Sequence, residues 1–490
     1  MIDAATRTKA DTTAVDESDL AFATVSDLGA LLRARVVSPV ELTRFFLGRL
    51  DTIARPLNAV VTITEDVALR EAALAEVEII RGVDRGPLHG IPYGAKDIIA
   101  TAGISTTWGA RPFAGQVPGR DASVVRRLRD AGAILAAKVA TVEIAGGMGY
   151  DNPDACFTGP TGNPWDPGTW AGGSSSGPAA VVAAGALPFA IGSDTSGSIV
   201  LPAAWTGTAG LRATYGRVSR HGVMTLCWTL DRLGPLCRTA HDCGLVLEAI
   251  AGPDPDDPAV LPGPYRYRRG APRREGFRIG VVTGAAEGAE PEIAANFARS
   301  VAQLRDLGTV CEVTLPDLPY AEVQEIISAA EAYAAFDDFM ARGGTAELTA
   351  AMAKTHRLAG ALLPAHDYIR AQRIRRHIAA AFDELAREFD AIVAPTIGTT
   401  AGSRYADFEY MLPGAFPRPL NYAGVLTGSP TISVPNGLGR GGLPTSIAFA
   451  GARFAENAIL DAASALQERS PGGAGGLRPP VGGGKQGGGS

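Results

Sequence analysis

The sequence predicts an α/β protein in which strands and helices alternate along the chain. Short apolar runs such as residues 133–136 have the length of buried strands, and segments with helical start signals or small apolar side chains lie between them. Alternation of this kind favours a layered α/β structure. The chain has 490 residues, of which 46% are hydrophobic and 20% charged, so it can bury a large core.

The clearest helix start is a capping box formed by Ser38 and Glu41, with Pro39 at the first helical position. Asp121 is predicted to cap a later helix. The predicted helices cover residues 38–53, 65–80, 121–129, 177–184 and, almost without interruption, 320–388. The predicted strands cover residues 133–136, 187–191, 278–282, 390–395 and 431–435.

We expect one domain over residues 22–468. A disordered leader is predicted before it, at residues 1–21, and a flexible tail rich in glycine and proline after it, at residues 469–490. Residues 253–275, rich in proline and arginine, predict a surface connection. The helical residues 320–388 are expected to shape the substrate site.

Charge and composition argue against several classes of protein. The net charge of −6 gives no reason to expect a nucleic acid or an anionic membrane as partner. The five cysteines contain no CxxC pair, which argues against a disulfide framework and a structural zinc site. Residues 1–19 lack the apolar core of a signal peptide, and no run reaches the ~18 apolar residues of a membrane span. We therefore expect a cytoplasmic protein.

Lysine is rare in this chain, and Lys96 stands out among the few. The lysines are Lys9, Lys96, Lys138, Lys354 and Lys485. Unlike arginine, a lysine can lose its proton when burial lowers its pKa from about 10.4. Lys96 lies among apolar neighbours and is the candidate base. Lys138 is interpreted as a packing residue or as a lysine retained by drift without a function. Asp97 would hold Lys96 charged if the two side chains met, but successive strand residues face opposite ways.

Two runs rich in glycine and serine supply candidate nucleophiles. They cover residues 172–177 and 192–198, and they carry Ser174 and Ser198, 24 positions apart. A serine hydroxyl is a poor nucleophile until a base takes its proton, and neutral Lys96 can do so. The turn over residues 195–198 offers backbone N–H groups for a tetrahedral oxyanion. The set predicts acyl transfer without histidine.

Other interpretations of these runs stay open at this point. No GxxxxGK[ST] motif occurs, which argues against a phosphate-binding loop. Residues 173–177 match the GxSxG nucleophile elbow, which would make Ser175 the nucleophile and require an acidic residue and a histidine downstream. The downstream histidines are His221, His241, His356, His366 and His377. The runs can also be turns without a function, His89 is interpreted as a structural histidine, and Met148 as either core filler or a pocket wall.

Ordered blocks along the chain resemble the amidase signature family, a large group of serine hydrolases that cleave amide and related C–N bonds. The resemblance covers about residues 22–468. The blocks that carry it are residues 88–92, 130–133, 163–165, 172–198, 210–217, 230–235 and 442–444.

The resemblance implies a role for each candidate residue. The family's catalytic lysine falls on Lys96, its nucleophile on Ser198, and its bridging serine, which has a cis peptide bond, on Ser174. The backbone of the oxyanion hole falls on Thr195, Ser196 and Gly197 together with Ser198, and the pocket loop falls on Gly147 and Met148. The implied fold is a mixed, largely parallel central sheet surrounded by helices. No metal and no cofactor are implied.

Two residues depart from the family pattern Thr-Gly-Gly-Ser-Ile-Arg. Ser196 replaces a glycine but keeps its backbone N–H, and Val200 replaces the arginine. Val200 removes a positive charge near the nucleophile, which leaves Asp194 to pair elsewhere, with Arg212 as the candidate. We therefore expect a pocket that favours neutral, apolar substrates over carboxylates.

The predicted function is hydrolysis of the C–N bond of a small neutral or apolar amide through a serine acyl-enzyme. The predicted protein is a monomer or a homodimer that binds a small-molecule amide or carbamate. One alternative is a carbamate (urethane) or ester hydrolase with the same triad. The other is a partner-dependent amidotransferase component of the A type.

Overall fold

An eleven-stranded sheet forms the centre of the protein in this computed structural model, and helices pack against it. The structure describes residues 16–147, 149–270, 276–408, 419–470 and 476–480. The predicted α/β class, with a mixed sheet surrounded by helices, is confirmed. Parallel pairing, expected to predominate, is confined to two groups of three strands, because an antiparallel block lies between them.

The helices in these ranges are α1 Glu17–Ala21, α2 Val25–Arg33, α3 Pro39–Arg49, α4 Glu65–Ile80, α5 Ser123–Asp130, α6 Ser176–Ala183, α7 Val200–Thr206, α8 Ala240–Ile250, α9 Pro291–Arg305, α10 Tyr320–Ala335, α11 Asp337–Ala341, α12 Ala351–Leu362, α13 Ala365–Ala386, α14 Pro419–Thr427 and α15 Glu456–Gln467. The strands are β1 Val60–Ile63, β2 Pro92–Lys96, β3 Ile134–Val139, β4 Gly162–Asn163, β5 Asp166–Trp170, β6 Phe189–Asp194, β7 Ala209–Arg212, β8 Arg232–Cys237, β9 Phe277–Val282, β10 Gly308–Val313, β11 Ala391–Pro395, β12 Thr431–Leu438 and β13 Pro444–Ala450. None of these helices is both long enough and apolar enough to cross a bilayer.

The strands of the central sheet follow the order β1-β3-β2-β6-β8-β7-β12-β13-β11-β9-β10. Four neighbouring pairs are parallel, in the groups β3-β2-β6 and β11-β9-β10, and the other six are antiparallel. The antiparallel block includes β7, β8 and β13, which sequence reasoning did not predict; glycine interrupts the apolar run of β7, and glycine and proline interrupt that of β8. One sheet thus gathers strands from residue 60 to residue 450, which supports the proposal of a single domain.

Most predicted elements lie where the sequence placed them. The capping box is confirmed: Ser38 Oγ accepts from the Glu41 amide and the Glu41 carboxylate accepts from the Ser38 amide. The helix it starts continues beyond α3 as a π-helical turn over Leu50–Ala54. The cap predicted at Asp121 is wrong, because its carboxylate accepts instead from the Ala102 amide and from Arg129.

Parts of the predicted leader and tail pack onto the body of the protein. Helix α1 lies within the leader and buries Leu20. Within the tail, the Leu477 carbonyl accepts from Arg238, and Arg478 lies 3.6 Å from Asp19. Residues 16–21 and 476–480, which are described parts of these two segments, are therefore held by contacts, and the disorder predicted for the rest stays a prediction. Residues 1–15, 471–475 and 481–490 lie outside the described residues.

The sheet places the candidate base beside the second serine run. Strands β2 and β6 are parallel neighbours that end at Lys96 and Asp194, so their carboxyl ends lie at the same edge. The turn that carries Ser198 follows β6 directly and leads into α7. Helix α6 begins at Ser176, two residues after Ser174.

Helix α6 packs in the interior through small residues, as the sequence predicted. All of its residues are buried. Its closest approach is at Gly177, whose amide donates to the Ala140 carbonyl at 2.9 Å. A Cβ at this position would lie 2.2 Å from the Ala140 nitrogen and 2.7 Å from the Ala59 oxygen. The contact therefore requires glycine.

We predict that Gly177→Ala lowers the free energy of unfolding by about 1–3 kcal/mol, because the added methyl group pushes α6 away from the neighbouring backbone. Gly48→Ala is the matched control, since a Cβ in this exposed position of α3 meets nothing within 4 Å. The control should raise stability by about 0.5–1 kcal/mol. Denaturant unfolding measures both changes, and a loss of similar size in both variants would contradict the packing argument.

Candidate active site

Lys96 lies at the end of β2 with no part of its side chain exposed to solvent. Its Nζ donates to Ser174 Oγ at 2.8 Å and to Ser193 Oγ at 2.9 Å. Burial lowers the pKa of Lys96 to about 7, although the negative charges of Asp194 and Asp231 act to raise it. A lysine with this pKa is neutral in a large fraction of molecules near pH 7 and can accept a proton.

The carboxylate that follows Lys96 in the sequence is directed to a different lysine. Asp97 Oδ1 lies 3.1 Å from Lys138 Nζ, and both side chains are fully buried. Thr107 donates to the other carboxylate oxygen of Asp97 from its backbone amide and its hydroxyl group. Lys138 also donates to the Ile99 carbonyl at 2.9 Å. Lys138 is therefore an ion-pair partner, a more specific role than the packing that the sequence suggested.

The first serine run places its three serines in three different environments. Ser174 follows a cis peptide bond from Gly173, as the resemblance implied, and its hydroxyl group meets Lys96. Ser175 Oγ donates to the Ser193 carbonyl at 3.1 Å and accepts from the Ser193 amide at 3.3 Å. Ser176 accepts from a threonine hydroxyl group. Because the buried Ser175 hydroxyl is bound to the backbone of β6, the structure argues against the nucleophile-elbow interpretation.

Ser198 lies in the turn between β6 and α7 and is partly exposed. Its carbonyl oxygen accepts from the Ser175 amide at 3.2 Å, so the two serine runs meet one residue away from Ser174. The structure thus brings Lys96 and Ser174 into direct contact and holds the backbone of Ser198 at the adjoining turn.

Asp194 organises the turn that carries Ser198. Its Oδ1 accepts from the Gly197 amide at 2.8 Å, and its Oδ2 accepts from the Ile199 amide at 2.8 Å. Burial acts to raise the pKa of Asp194, but Arg212 and the amide donors outweigh it and hold this pKa below its ordinary value. Arg212 Nη1 lies 3.3 Å from Asp194 Oδ1, and both side chains are fully buried. The pairing expected in place of the arginine missing at Val200 is confirmed.

One predicted oxyanion donor is already in use. The Gly197 N–H donates to Asp194, and the φ of 137° at this residue is a conformation that favours glycine. The assignment of Gly197 to the oxyanion hole is corrected for this reason. The backbone N–H groups of Thr195, Ser196 and Ser198 remain the candidates.

Sequence reasoning missed two residues of the site, Ser193 and Asp231. Ser193 supplies the second hydrogen-bond acceptor for Lys96. Asp231 Oδ1 accepts from Thr195 Oγ1 at 2.7 Å, and Asp231 Oδ2 accepts from the Leu226 amide at 2.8 Å. The sequence held a signal for both, because Ser193 lies in the second serine run and Asp231 lies in a block that carries the family resemblance.

Two carboxylates attach the helical residues 320–388 to the site. Glu143, just before the pocket loop, accepts from the backbone amide of Thr349 at 2.8 Å. Glu331 of α10 accepts from the backbone amide of Thr229 at 2.8 Å, in the turn that precedes Asp231. One bond thus joins a main-chain amide of the helical region to Glu143, and the other joins Glu331 of the helical region to a main-chain amide of the turn before Asp231.

The predicted pocket loop is described only in part. A Cβ on Gly147 would lie 3.1 Å from Leu226 Cγ and 3.2 Å from Phe336 Cε2, so this loop packs closely against both side chains. Met148 lies outside the described residues.

A cavity of about 200 Å³, here called the small cavity, opens beside Ser193 and Thr195. Two arginines line it, and each already has partners. Arg220 Nε lies 3.2 Å from Asp257 Oδ2, and Arg232 donates to backbone carbonyls that include Gly424 and Ser429. These guanidinium groups are therefore not open to a substrate carboxylate.

A model of the Amidase family matches residues 41–460 of the chain. The A-type subunit of glutamyl-tRNA(Gln) amidotransferase from Moorella thermoacetica is 37% identical over 92% of this chain and 97% of the relative. Among solved structures, the peptide amidase from Stenotrophomonas maltophilia is 30% identical with a TM-score of 0.81, over 94% of this chain and 98% of that chain. A protein from a vestigial complex linked to the origins of an s-triazine catabolic enzyme is 28% identical with a TM-score of 0.84. The match covers 93% of this chain and 99% of that chain.

We predict that the rate of acylation of Ser198 increases with pH and that the rising limb of its pH profile has its midpoint near pH 7. Lys96 must be neutral to accept a proton, and its pKa is about 7. Asp231→Asn should move this limb to lower pH, since the negative charge of Asp231 raises the pKa of Lys96. The rate at which a fluorophosphonate labels the activated serine measures the limb without knowledge of the substrate.

The control for this prediction is Glu331→Gln, which alters the same turn without removing a charge that acts on Lys96. The limb should stay in place in this variant even if the labelling rate falls. A limb that does not move in Asp231→Asn, or that moves equally in both variants, would show that Asp231 does not act on Lys96 through its charge.

Proposed function

This chain belongs to the amidase family of carbon–nitrogen hydrolases, and we propose that it hydrolyses a small neutral amide through an acyl-enzyme on Ser198. The observation that carries the proposal is the 2.8 Å hydrogen bond between Ser174 Oγ and a fully buried Lys96 whose pKa is about 7. This arrangement supplies a base and a relay beside the turn of Ser198.

In the proposed mechanism neutral Lys96 takes a proton from Ser174, and Ser174 takes one from Ser198 as Ser198 Oγ attacks the carbonyl carbon. Backbone N–H groups of residues 195–198 other than Gly197 stabilise the oxyanion. As the tetrahedral intermediate collapses, the C–N bond breaks and the relay returns the proton to the leaving amine. Water then attacks the ester, and the same relay carries its proton, which releases the acid and restores Ser198.

The charges around the small cavity support a neutral substrate. Arg220 and Arg232 line this cavity but are bound to Asp257 and to backbone carbonyls. Three aspartates also line it, namely Asp231, Asp256 and Asp257. A substrate carboxylate would lose its hydration here without gaining a free cation, which is costly.

A second candidate function is that of the A-type subunit of an amidotransferase, which would hydrolyse glutamine and pass the ammonia to a partner. The names of the curated relatives favour this candidate over the neutral-amide hydrolase, at 37% identity for Moorella thermoacetica and 35% for Methylococcus capsulatus. Both candidates use the same acyl-enzyme, and so would a carbamate or ester hydrolase. A cytoplasmic location and a monomeric or homodimeric state stay predictions.

The test is a screen of the purified protein against anilides, primary amides, carbamates and glutamine. We expect hydrolysis of neutral amides by the protein alone and a loss of at least ~10³-fold in kcat for Ser198→Ala, because the nucleophile is gone. Mass spectrometry should place the acyl group on the peptide that contains Ser198.

Ser175→Ala is the matched control, since Ser175 binds the backbone of β6 and should not carry the acyl group. Loss of acylation in Ser175→Ala but not in Ser198→Ala would overturn the assignment in favour of the elbow. Glutamine hydrolysis that appears only when partner proteins co-purify would favour the amidotransferase function.

A further inference from the structure

A second, larger cavity of about 870 Å³ lies next to the small cavity, and we call it the large cavity. Five residues line both cavities, namely Ile98 and residues 222–225. Ile98 lies two residues after Lys96, and the small cavity also touches Ser193 and Thr195. The large cavity is therefore adjacent to the candidate site.

Four aromatic side chains contribute to the lining of the large cavity. Trp108, Phe113, Phe336 and Phe339 line it, together with Met224. The ring centroids of Trp108 and Phe113 lie 4.5 Å apart, and those of Phe113 and Phe339 lie 5.1 Å apart. A volume of several hundred Å³ with such walls is typical of sites that bind apolar small molecules.

The wall residues include an unusual backbone conformation. Trp108 has a φ of 53°, which a bulky residue rarely adopts. Hydrogen bonds hold it there, because its amide donates to the Asp97 carbonyl at 3.0 Å and its carbonyl accepts from the Ile144 amide at 2.7 Å. Ile144 and Ala145, which precede the pocket loop, also have positive φ values of 42° and 55°. Strained residues that cluster in this way are typical of ligand sites.

The large cavity offers little to an ionic ligand. Its charged lining residues, among those that the structure describes, are Asp338 and Arg342. Both are exposed, and Arg342 Nε donates to the Asp338 carbonyl at 3.0 Å. Phe336 and Phe339 are buried, at 4% and 8% exposed. The polar lining residues that carry no charge are Thr106, Gln116 and Thr225.

We propose that the large cavity binds the apolar, aromatic part of the amide substrate and so selects bulky neutral amides over glutamine. The proposal rests on the proposed hydrolysis at Ser198 and adds the substrate class to it. Burial of a phenyl group against these walls is favourable, whereas the charged amino-acid end of glutamine would lose its hydration there.

The test compares 3-phenylpropionamide with propionamide, which lacks only the phenyl group, and with glutamine. Binding is measured by calorimetry on Ser198→Ala protein, so it does not depend on turnover, and hydrolysis is measured on protein with Ser198 intact. We expect 3-phenylpropionamide to bind at least about tenfold more tightly than propionamide.

Ala335→Trp tests the location, because Ala335 lines the large cavity from an exposed position at the end of α10. The indole should fill the cavity and weaken binding of 3-phenylpropionamide by about tenfold or more, with propionamide unchanged. Ala334→Trp is the matched control, since Ala334 is also exposed on α10 and should leave both affinities unchanged.

Equal binding of the two amides, tighter binding of glutamine, or the same loss in both tryptophan variants would overturn the cavity proposal even if the protein hydrolyses amides. If the phenyl preference is present and Ala335→Trp removes it, while no amide is hydrolysed, the cavity proposal stands and the hydrolytic function fails. The two failures are therefore distinguishable.

Discussion

The ion pair between Asp97 and Lys138 is the interaction on which the candidate site depends. Asp97 adjoins Lys96 in the sequence, and a carboxylate in contact with Lys96 would favour its charged form. Lys138 and Thr107 bind the Asp97 carboxylate. The close contacts of Lys96 Nζ are therefore the neutral hydroxyl groups of Ser174 and Ser193. Burial then dominates and gives Lys96 a pKa at which it can act as a base. Two buried lysines thus have different roles because their partners differ, one in an ion pair and one proposed for proton transfer.

A second buried carboxylate, Asp194, shapes the turn that carries Ser198. It binds backbone N–H groups after β6, and its charge is balanced by Arg212 on β7. Arg212 also donates to Asn421 of α14, so the charge balance reaches a helix far along the chain. This explains how the turn keeps its form with Val200 at the position where the family has an arginine. The arrangement takes one N–H, that of Gly197, away from the oxyanion.

Two of the predicted site residues meet in the structure, whereas several strands of the fold were not predicted. Lys96 and Ser174 could be found because lysine is rare here and serine in a glycine-rich run is distinctive, and the structure joins them by a hydrogen bond. Strand β8 could not be found, because Gly234 and Pro235 interrupt its pattern and its strand form depends on neighbours. Asp231 was missed although it lies in a block that carries the family resemblance, because its importance lies in a contact with Thr195, 36 residues away.

The two carboxylates that hold the helical residues 320–388 affect which substitutions this region can accept. Glu143 and Glu331 each accept from a main-chain amide, of Thr349 and Thr229 respectively. A main-chain N–H is present whatever side chain its residue carries, apart from proline. Substitutions along residues 320–388 other than Glu331 can therefore change the part of the cavity lining that this region supplies without removing the bond between Glu143 and the Thr349 amide. The helical side of the large cavity can then vary in sequence while its attachment near Lys96 persists.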